Sequence, residues 1–243
     1  MNPHPLFVRS VRLCRDDIGS FDDYPFSVPV IRELEELELT AQVTFLIGEN
    51  GSGKSTLLEA MAIACGFNAE GGSKNFQFET VESHSPLHRL LHVTRGFKRP
   101  SDGYFLRAES FFNVATEIDE RGLESYYGGR SLHAMSHGES FFTLLNERLL
   151  GGGLYFFDEP EAALSPMRQM AMLTRIHELV LDASQLIVAT HSPILMAYPG
   201  AEILQIEGGA LRRVAYEETE HYQVTRRFFA HREPMLRILL GGE

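Results

Sequence analysis

Gly48-Glu49-Asn50-Gly51-Ser52-Gly53-Lys54-Ser55-Thr56 comes directly after an apolar, β-branched run, Val43 to Ile47. A helix-compatible segment follows, from Ser55 to about Ala64, with Gly66 in a usual stop position. The spacing is G-x-x-x-x-G-K-[ST], in the strand–loop–helix context that gives that pattern its meaning. Glycines let the backbone curl until several N–H groups converge on one point, and the helix N-terminus adds its positive end. Such a concavity takes phosphate oxygens. Lys54 supplies a point charge for the outer phosphates, and the Ser55 hydroxyl is placed to coordinate Mg²⁺. The nine residues from Gly48 to Thr56 are therefore expected to bind ATP·Mg²⁺.

About a hundred residues on, Leu154-Tyr155-Phe156-Phe157 runs into Asp158-Glu159-Pro160. In a parallel sheet, ligands sit at the carboxyl ends of strands. Asp158 there can hold Mg²⁺ through water, and Glu159 can orient and polarise an attacking water. Two adjacent acids alone also read as a solvated loop. In the company of the phosphate loop they read as a metal and water site.

The rest of the chain supplies the frame. Residues 6–13 and 27–39 have the pattern of short strands. Strands are expected near 75–81, 90–95 and 103–108, and helices over 110–121 and from Ser136 to about Leu150. A helix over 166–182, a buried strand Leu186 to Thr190 and a short helix from Pro193 follow. Ile203 to Ile206 and Leu211 to Tyr216 form a hairpin around Gly208-Gly209, and a helical tail closes the chain. Apolar strands alternating with helices predict an α/β fold with a mostly parallel central sheet, an N-terminal antiparallel β region and a short helical lobe. The expectation is one domain over 1–243, with the small lobe inserted at about 110–150.

Composition narrows the function classes. The chain has 243 residues, 44% of them hydrophobic, and 33 acidic against 22 basic residues leave a net charge of −11. An acidic surface does not favour non-specific contact with nucleic acid or anionic lipid. The basic cluster Arg226, Arg227, His231, Arg232 and Arg237 reads first as a solvated helix face. Two distant cysteines, Cys14 and Cys65, fit a reduced cytoplasmic interior. No signal peptide and no membrane-spanning run is expected, so any membrane is supplied by a partner. His84, His88 and His92 are spaced i, i+4, i+8, but Pro86 and the strand-like Leu90-Leu91 argue against a helical metal site.

The order phosphate loop, Met135-Ser136-His137-Gly138-Glu139, Phe157-Asp158-Glu159-Pro160, then His191 resembles the ABC-type P-loop ATPases. The resemblance implies that Ser136 and Gly138 belong to a signature segment that reaches the nucleotide of a second copy, so that two chains sandwich two ATP molecules head to tail. His137 and Glu139 replace the first glycine and the glutamine of the usual Leu-Ser-Gly-Gly-Gln, and a glutamate in that place is more like the SMC and RecF type. Ser136-x-x-Glu139 is equally a capping box. His191, after the strand Leu186 to Thr190, takes the place of the switch histidine that contacts the γ-phosphate. Ser192-Pro193 also read as simple helix initiation. Glu161 to Ser165 resembles the segment that crosses the dimer interface, with Ser165 where an Asp is usual. The family's Gln contact to Mg²⁺ has two rival positions, Gln77 and Glu109. Tyr24 or Phe26 are the aromatics placed to stack on adenine, although ordinary packing explains both.

The resemblance thus implies catalytic roles for Lys54, Glu159 and His191. It implies a soluble, cytoplasmic ATPase that dimerises on ATP, with a place in DNA maintenance or defence. Alternatives are the ATP-binding subunit of a membrane transporter and a slow ATP-dependent interaction switch. No long coiled coil separates the two halves, which argues against a true SMC protein.

Overall fold

The computed structural model describes residues 6–73 and 85–241. Its N-terminal region holds β1 (Val8–Leu13), a single helical turn α1 (Pro29–Arg32), β2 (Glu36–Glu38) and β3 (Val43–Gly48). The helix α2 (Lys54–Ala64) follows the phosphate loop, and β4 (Gly72–Ser73), β5 (Leu91–Arg95) and β6 (Asp102–Arg107) come next. Helices α3 (Phe111–Glu120) and α4 (His137–Glu147) follow. Then the chain alternates: β7 (Gly153–Asp158), α5 (Pro166–Leu181), β8 (Gln185–Ala189), α6 (Pro193–Met196), β9 (Glu202–Glu207) and β10 (Ala210–Arg213). Helices α7 (Glu220–Ala230) and α8 (Arg232–Leu239) end it.

Among the described residues there are two sheets. One is antiparallel, in the order β2-β1-β5. The other runs β10-β9-β3-β8-β7-β6-β4, parallel through its five central strands and antiparallel at both edges. The α/β class with a mostly parallel sheet and an N-terminal antiparallel region is as expected.

Burial on both faces explains why the central strands read as unbroken apolar runs. Every residue of β3, β7 and β8 is buried. Alternate side chains feed two clusters, because successive residues of a strand point to opposite faces. Phe45, Ile47, Tyr155, Phe157, Leu186 and Val188 pack with Phe111 and Ile118 of α3, Phe141 and Leu144 of α4 and Met172 and Ile176 of α5. Leu46, Phe156, Ile187 and Ala189 pack with Leu57, Leu58 and Met61 of α2 and with Val8, Val11 and Leu37 of the small sheet. Each fully buried Phe contributes about 1.5–3 kcal/mol. Gln185, at the start of β8, accepts from the N–H groups of Phe7 and Val8 and donates to the Val8 carbonyl, each at 2.9 Å. That one buried amide stitches the small sheet to the large one.

Two expectations change. The segment 27–39 is not one strand: Pro29, which fixes φ and lacks an N–H, starts the turn α1, and only Glu36–Glu38 pairs with β1. The second arm of the hairpin stops at Arg213, and Tyr216–Glu218 forms a 3₁₀ turn. Pro86–Leu90 is likewise a 3₁₀ turn that leads into β5. The expected strand at 75–81, Gln77 and His84 lie outside the described residues. Among the described residues no group of three or more His, Cys, Asp or Glu is arranged to hold a metal, and no helix is long and apolar enough to cross a membrane.

Candidate functional site

Strand order builds the site. β3, β8 and β7 are consecutive neighbours, so the loop after β3, His191 after β8 and Asp158-Glu159 at the end of β7 converge at one edge of the sheet. The loop curls through positive φ at Gly51 (78°) and Gly53 (96°). At Gly53 a side chain is also excluded by contact, since a Cβ would lie 2.7 Å from methyls of both Val28 and Val30. The turn α1 thus presses on the loop from behind.

Lys54, only 4% exposed, donates from Nζ to the carbonyls of Gly48 and Glu49, both at 2.9 Å. Burial lowers its pKa, and Glu159, Asp158 and Glu161 oppose that shift. Its charge is held inside the loop by neutral acceptors. Ser52 Oγ is buried and unpartnered among the described residues. The N–H groups of the first turn of α2 have no intrahelical acceptors. A buried cation, an orphaned hydroxyl and a ring of free donors fit a bound polyphosphate.

Ser55 Oγ donates to Asp158 Oδ1 at 2.9 Å. This brings together two oxygen donors of the kind Mg²⁺ prefers. Asp158 is buried, and burial pushes its carboxyl up to about 6, while the Ser55 hydroxyl and Arg107 pull the other way. Arg107 ends β6, where the parallel register sets it opposite Asp158. Its Nε lies 3.8 Å from Asp158 Oδ2, and it forms ion pairs with Glu59 at 2.7 Å and Glu109 at 3.6 Å. Ser55, Glu109, Asp158 and Glu159 line a cavity of about 410 Å³.

Glu159 is one of two described non-glycine residues with positive φ (48°). This strained backbone turns the chain sharply between β7 and Pro160, while the Glu159 N–H still donates to the Ala189 carbonyl at 2.9 Å. Its carboxylate lies 3.8 Å from His191 Nε2, an atom that is buried and has no hydrogen-bond partner among the described residues. Burial and the Lys54 cation lower the His191 pKa, and Glu159 opposes them. The His191 N–H donates to Glu161 Oε1.

Lys54, Ser55, Asp158, Glu159 and His191 are therefore gathered at one place. Ser136 and Gly138 are not among them. Ser136 is the exposed N-cap of α4, in a complete capping box with Glu139, and its hydroxyl donates to Glu139 Oε2 at 2.6 Å. Gly138 sits beneath Arg168, where an added Cβ would fall 2.2 Å from Arg168 Nη1. Ser165 caps α5. Tyr24 is 66% exposed, and Phe26 packs against the second cluster. Of the two rivals for the family's Gln, Glu109 stands at the cavity.

Arg107, Glu59 and His221 went unread in the sequence. Arg107 had a usable signal, since it ends a strand just before the rival Glu109. Glu59 and His221 had none, because only packing brings them near.

Two family models match successive stretches. One, described as an AAA domain, covers residues 17–119, and one described as "AAA domain, putative AbiEii toxin, Type IV TA system" covers 125–197. A curated relative, ABC transporter G family member STR2 of Medicago truncatula, is 25% identical over 171 residues. That match covers 62% of this chain but only 24% of the relative's length. Among solved structures, cbiO1 from Clostridium perfringens, part of the ABC transporter complex cbiONQ, superimposes with a TM-score of 0.50 at 17% identity. It covers 86% of this chain and 91% of its own. The SMC head domain from Thermotoga maritima gives a TM-score of 0.45 at 16% identity over 86% of this chain and 98% of its own. At 17% identity the likeness to cbiO1 is one of fold.

Proposed function

We propose that the chain is a P-loop ATPase of the ABC type, that it binds ATP with Mg²⁺ and hydrolyses it, and that two copies close head to tail around the nucleotides. One observation carries this reading. Ser55 and Asp158, 103 residues apart, share a 2.9 Å hydrogen bond, with Glu159 next in the chain and His191 Nε2 3.8 Å from its carboxylate.

Each residue then has a task. Lys54 exchanges the Gly48 and Glu49 carbonyls for the outer phosphate oxygens. Ser55 and Asp158 hold the cation. When bound, Mg²⁺ supplies neutralisation of the phosphate charge. Glu159 aligns a water and takes its proton as the water oxygen bonds to the γ-phosphorus. The bond from that phosphorus to the bridging oxygen breaks, and ADP leaves with the electron pair. His191 donates to the phosphoryl oxygens as their charge redistributes.

The exposed start of α4 supports the second half of the proposal. Ser136 and Gly138 are absent from the linings of the two cavities at Ser55 and Asp158 and at Gly48 to Ser52, which favours a role toward the nucleotide of another copy. The Ser136 hydroxyl must first release Glu139. Steady-state phosphate release from ATP by the purified chain, with and without Mg²⁺, tests the hydrolytic reading. A rate no higher than the protein-free blank would end it.

The raised Asp158 carboxyl gives a pH dependence. A carboxyl held at about 6 when folded, against 3.8 in its ordinary state, takes up a proton as pH falls through about 6. Between those values the folded form binds more protons, so this group favours folding more as pH falls and less as pH rises. Cation binding needs the carboxylate and must expel that proton. Calorimetry of Mg²⁺ binding in buffers of different ionisation enthalpy should show proton release at about pH 5.5 and almost none at about pH 7.5. The release should vanish in Asp158→Asn. Equal release at both values would refute the assignment.

Two settings for the activity have support. The second family model's description names a toxin of a type IV TA system, which favours a role in defence. The curated relative and cbiO1 favour the ATP-binding subunit of a transporter, whose membrane part other chains would provide.

A further inference from the structure

We infer that His221 is a positioning residue for His191. It donates a hydrogen bond from Nε2 to His191 Nδ1 and so holds the His191 ring in the tautomer that carries its proton on Nε2. The inference deepens the proposed hydrolysis and rests on it for its kinetic consequence, but not for its geometry.

His221 comes from α7, beyond residue 197, where the second family match stops. Its Nε2 lies 3.2 Å from His191 Nδ1, with the ring centroids 5.4 Å apart at 52°. The approach is anchored. Thr219, with no exposed surface, caps α7 by accepting from the Tyr222 N–H, and its hydroxyl donates to the Tyr216 carbonyl at 2.8 Å. Tyr216 Oη in turn donates to the Pro193 carbonyl at 2.8 Å, two residues after His191. The first turn of α7 is thus tied to the segment that carries the switch histidine.

Charge settles which ring donates. One proton serves an N–H···N bond, so one of the two rings must accept. The other nitrogen of His191, Nε2, is buried, lacks a partner among the described residues and has the Glu159 carboxylate 3.8 Å away. A lone pair aimed at that carboxylate is repelled, whereas an N–H is attracted. The proton therefore sits on Nε2, Nδ1 accepts, and His221 donates. Burial lowers the pKa of both rings; Lys54 lowers that of His191 further against Glu159, and His191 and then Lys54 lower that of His221 against Glu220 and Glu161. Both rings are neutral near pH 7, as the bond requires.

This arrangement gives the site a donor already pointing at the phosphate side, without reorganisation when charge develops. It also makes the C-terminal helices part of the site. Beyond that anchored first turn, α7 and α8 bury no residue.

The test joins imidazole ¹⁵N NMR of the nucleotide-free protein with kinetics. In the unaltered chain His191, assigned by comparison with His191→Asn, should be a single Nε2–H tautomer. In His221→Ala it should become a mixture. The kcat for ATP should fall about tenfold, with nucleotide affinity changed less than about twofold. His221→Gln, whose amide can donate from nearly the same point, should restore most of both. An unchanged His191 tautomer in His221→Ala would overturn the inference, as would a glutamine variant no better than alanine. If the unaltered chain released no phosphate from ATP, the proposed hydrolysis would fail while the tautomer result still decided the histidine pair.

Discussion

Glu159→Gln should bind ATP about as tightly as the unaltered chain and hydrolyse it about a thousandfold more slowly. The amide keeps the size and the hydrogen-bonding reach of the carboxylate but cannot accept the water's proton. It also removes a negative charge near Lys54, so affinity for a polyanion has no reason to fall. The strained backbone at residue 159 is unaffected, because the two side chains make the same demands on φ. With the nucleotide retained, the closed pair of chains should accumulate and emerge early on sizing chromatography with ATP·Mg²⁺. Turnover within about tenfold of the unaltered rate would show that another group takes the proton. A monomer at saturating nucleotide would remove the head-to-tail assembly while leaving the hydrolytic site intact.

Lys54→Ala should weaken ATP binding about a hundredfold or more, about 2.7 kcal/mol, which is the scale of a charged hydrogen bond made in a buried place. Lys54 is buried, and in the described structure its ammonium satisfies only two loop carbonyls. Removing it takes away the cation that meets the phosphates and leaves those carbonyls without their donor. Lys54→Met keeps an apolar stem of similar length and loses the ammonium with its charge and donors, so a matched loss in both variants assigns the effect to the ammonium. The measurement is a fluorescent-nucleotide titration alongside thermal unfolding of each variant. Unchanged affinity would sink the assignment of the loop as the phosphate site.

How much of this was legible beforehand follows from the range of the interactions. The phosphate loop depends on local backbone geometry, in which glycines, a strand before and a helix after fall within about twenty residues, and such local features are written in order along the chain. The same holds for β7, β8 and their carboxyl ends, because burial on both faces forces unbroken apolar runs. The segment 27–39 was misread for the opposite reason. Its residues suit a strand, but Pro29 and the pressure of Val28 and Val30 on Gly53 hold a helical turn there. The capping box at Ser136 shows a motif with two local meanings. The folded chain displays the cap, and the second meaning requires another molecule.

By itself the sequence determined the loop, the acidic strand end, the class of sheet and the order of the motifs, since each depends on neighbours a few residues apart. Only the tertiary structure decided which distant groups share the site. The strand order β3-β8-β7 sets His191 between the loop and Glu159. The register of β6 on β7 places Arg107 against Asp158. The return of α7 over the sheet edge puts His221 on His191 across thirty residues of chain. Those contacts have no periodicity and no fixed spacing, because they are set by how packed layers close on one another rather than by the local geometry of the backbone.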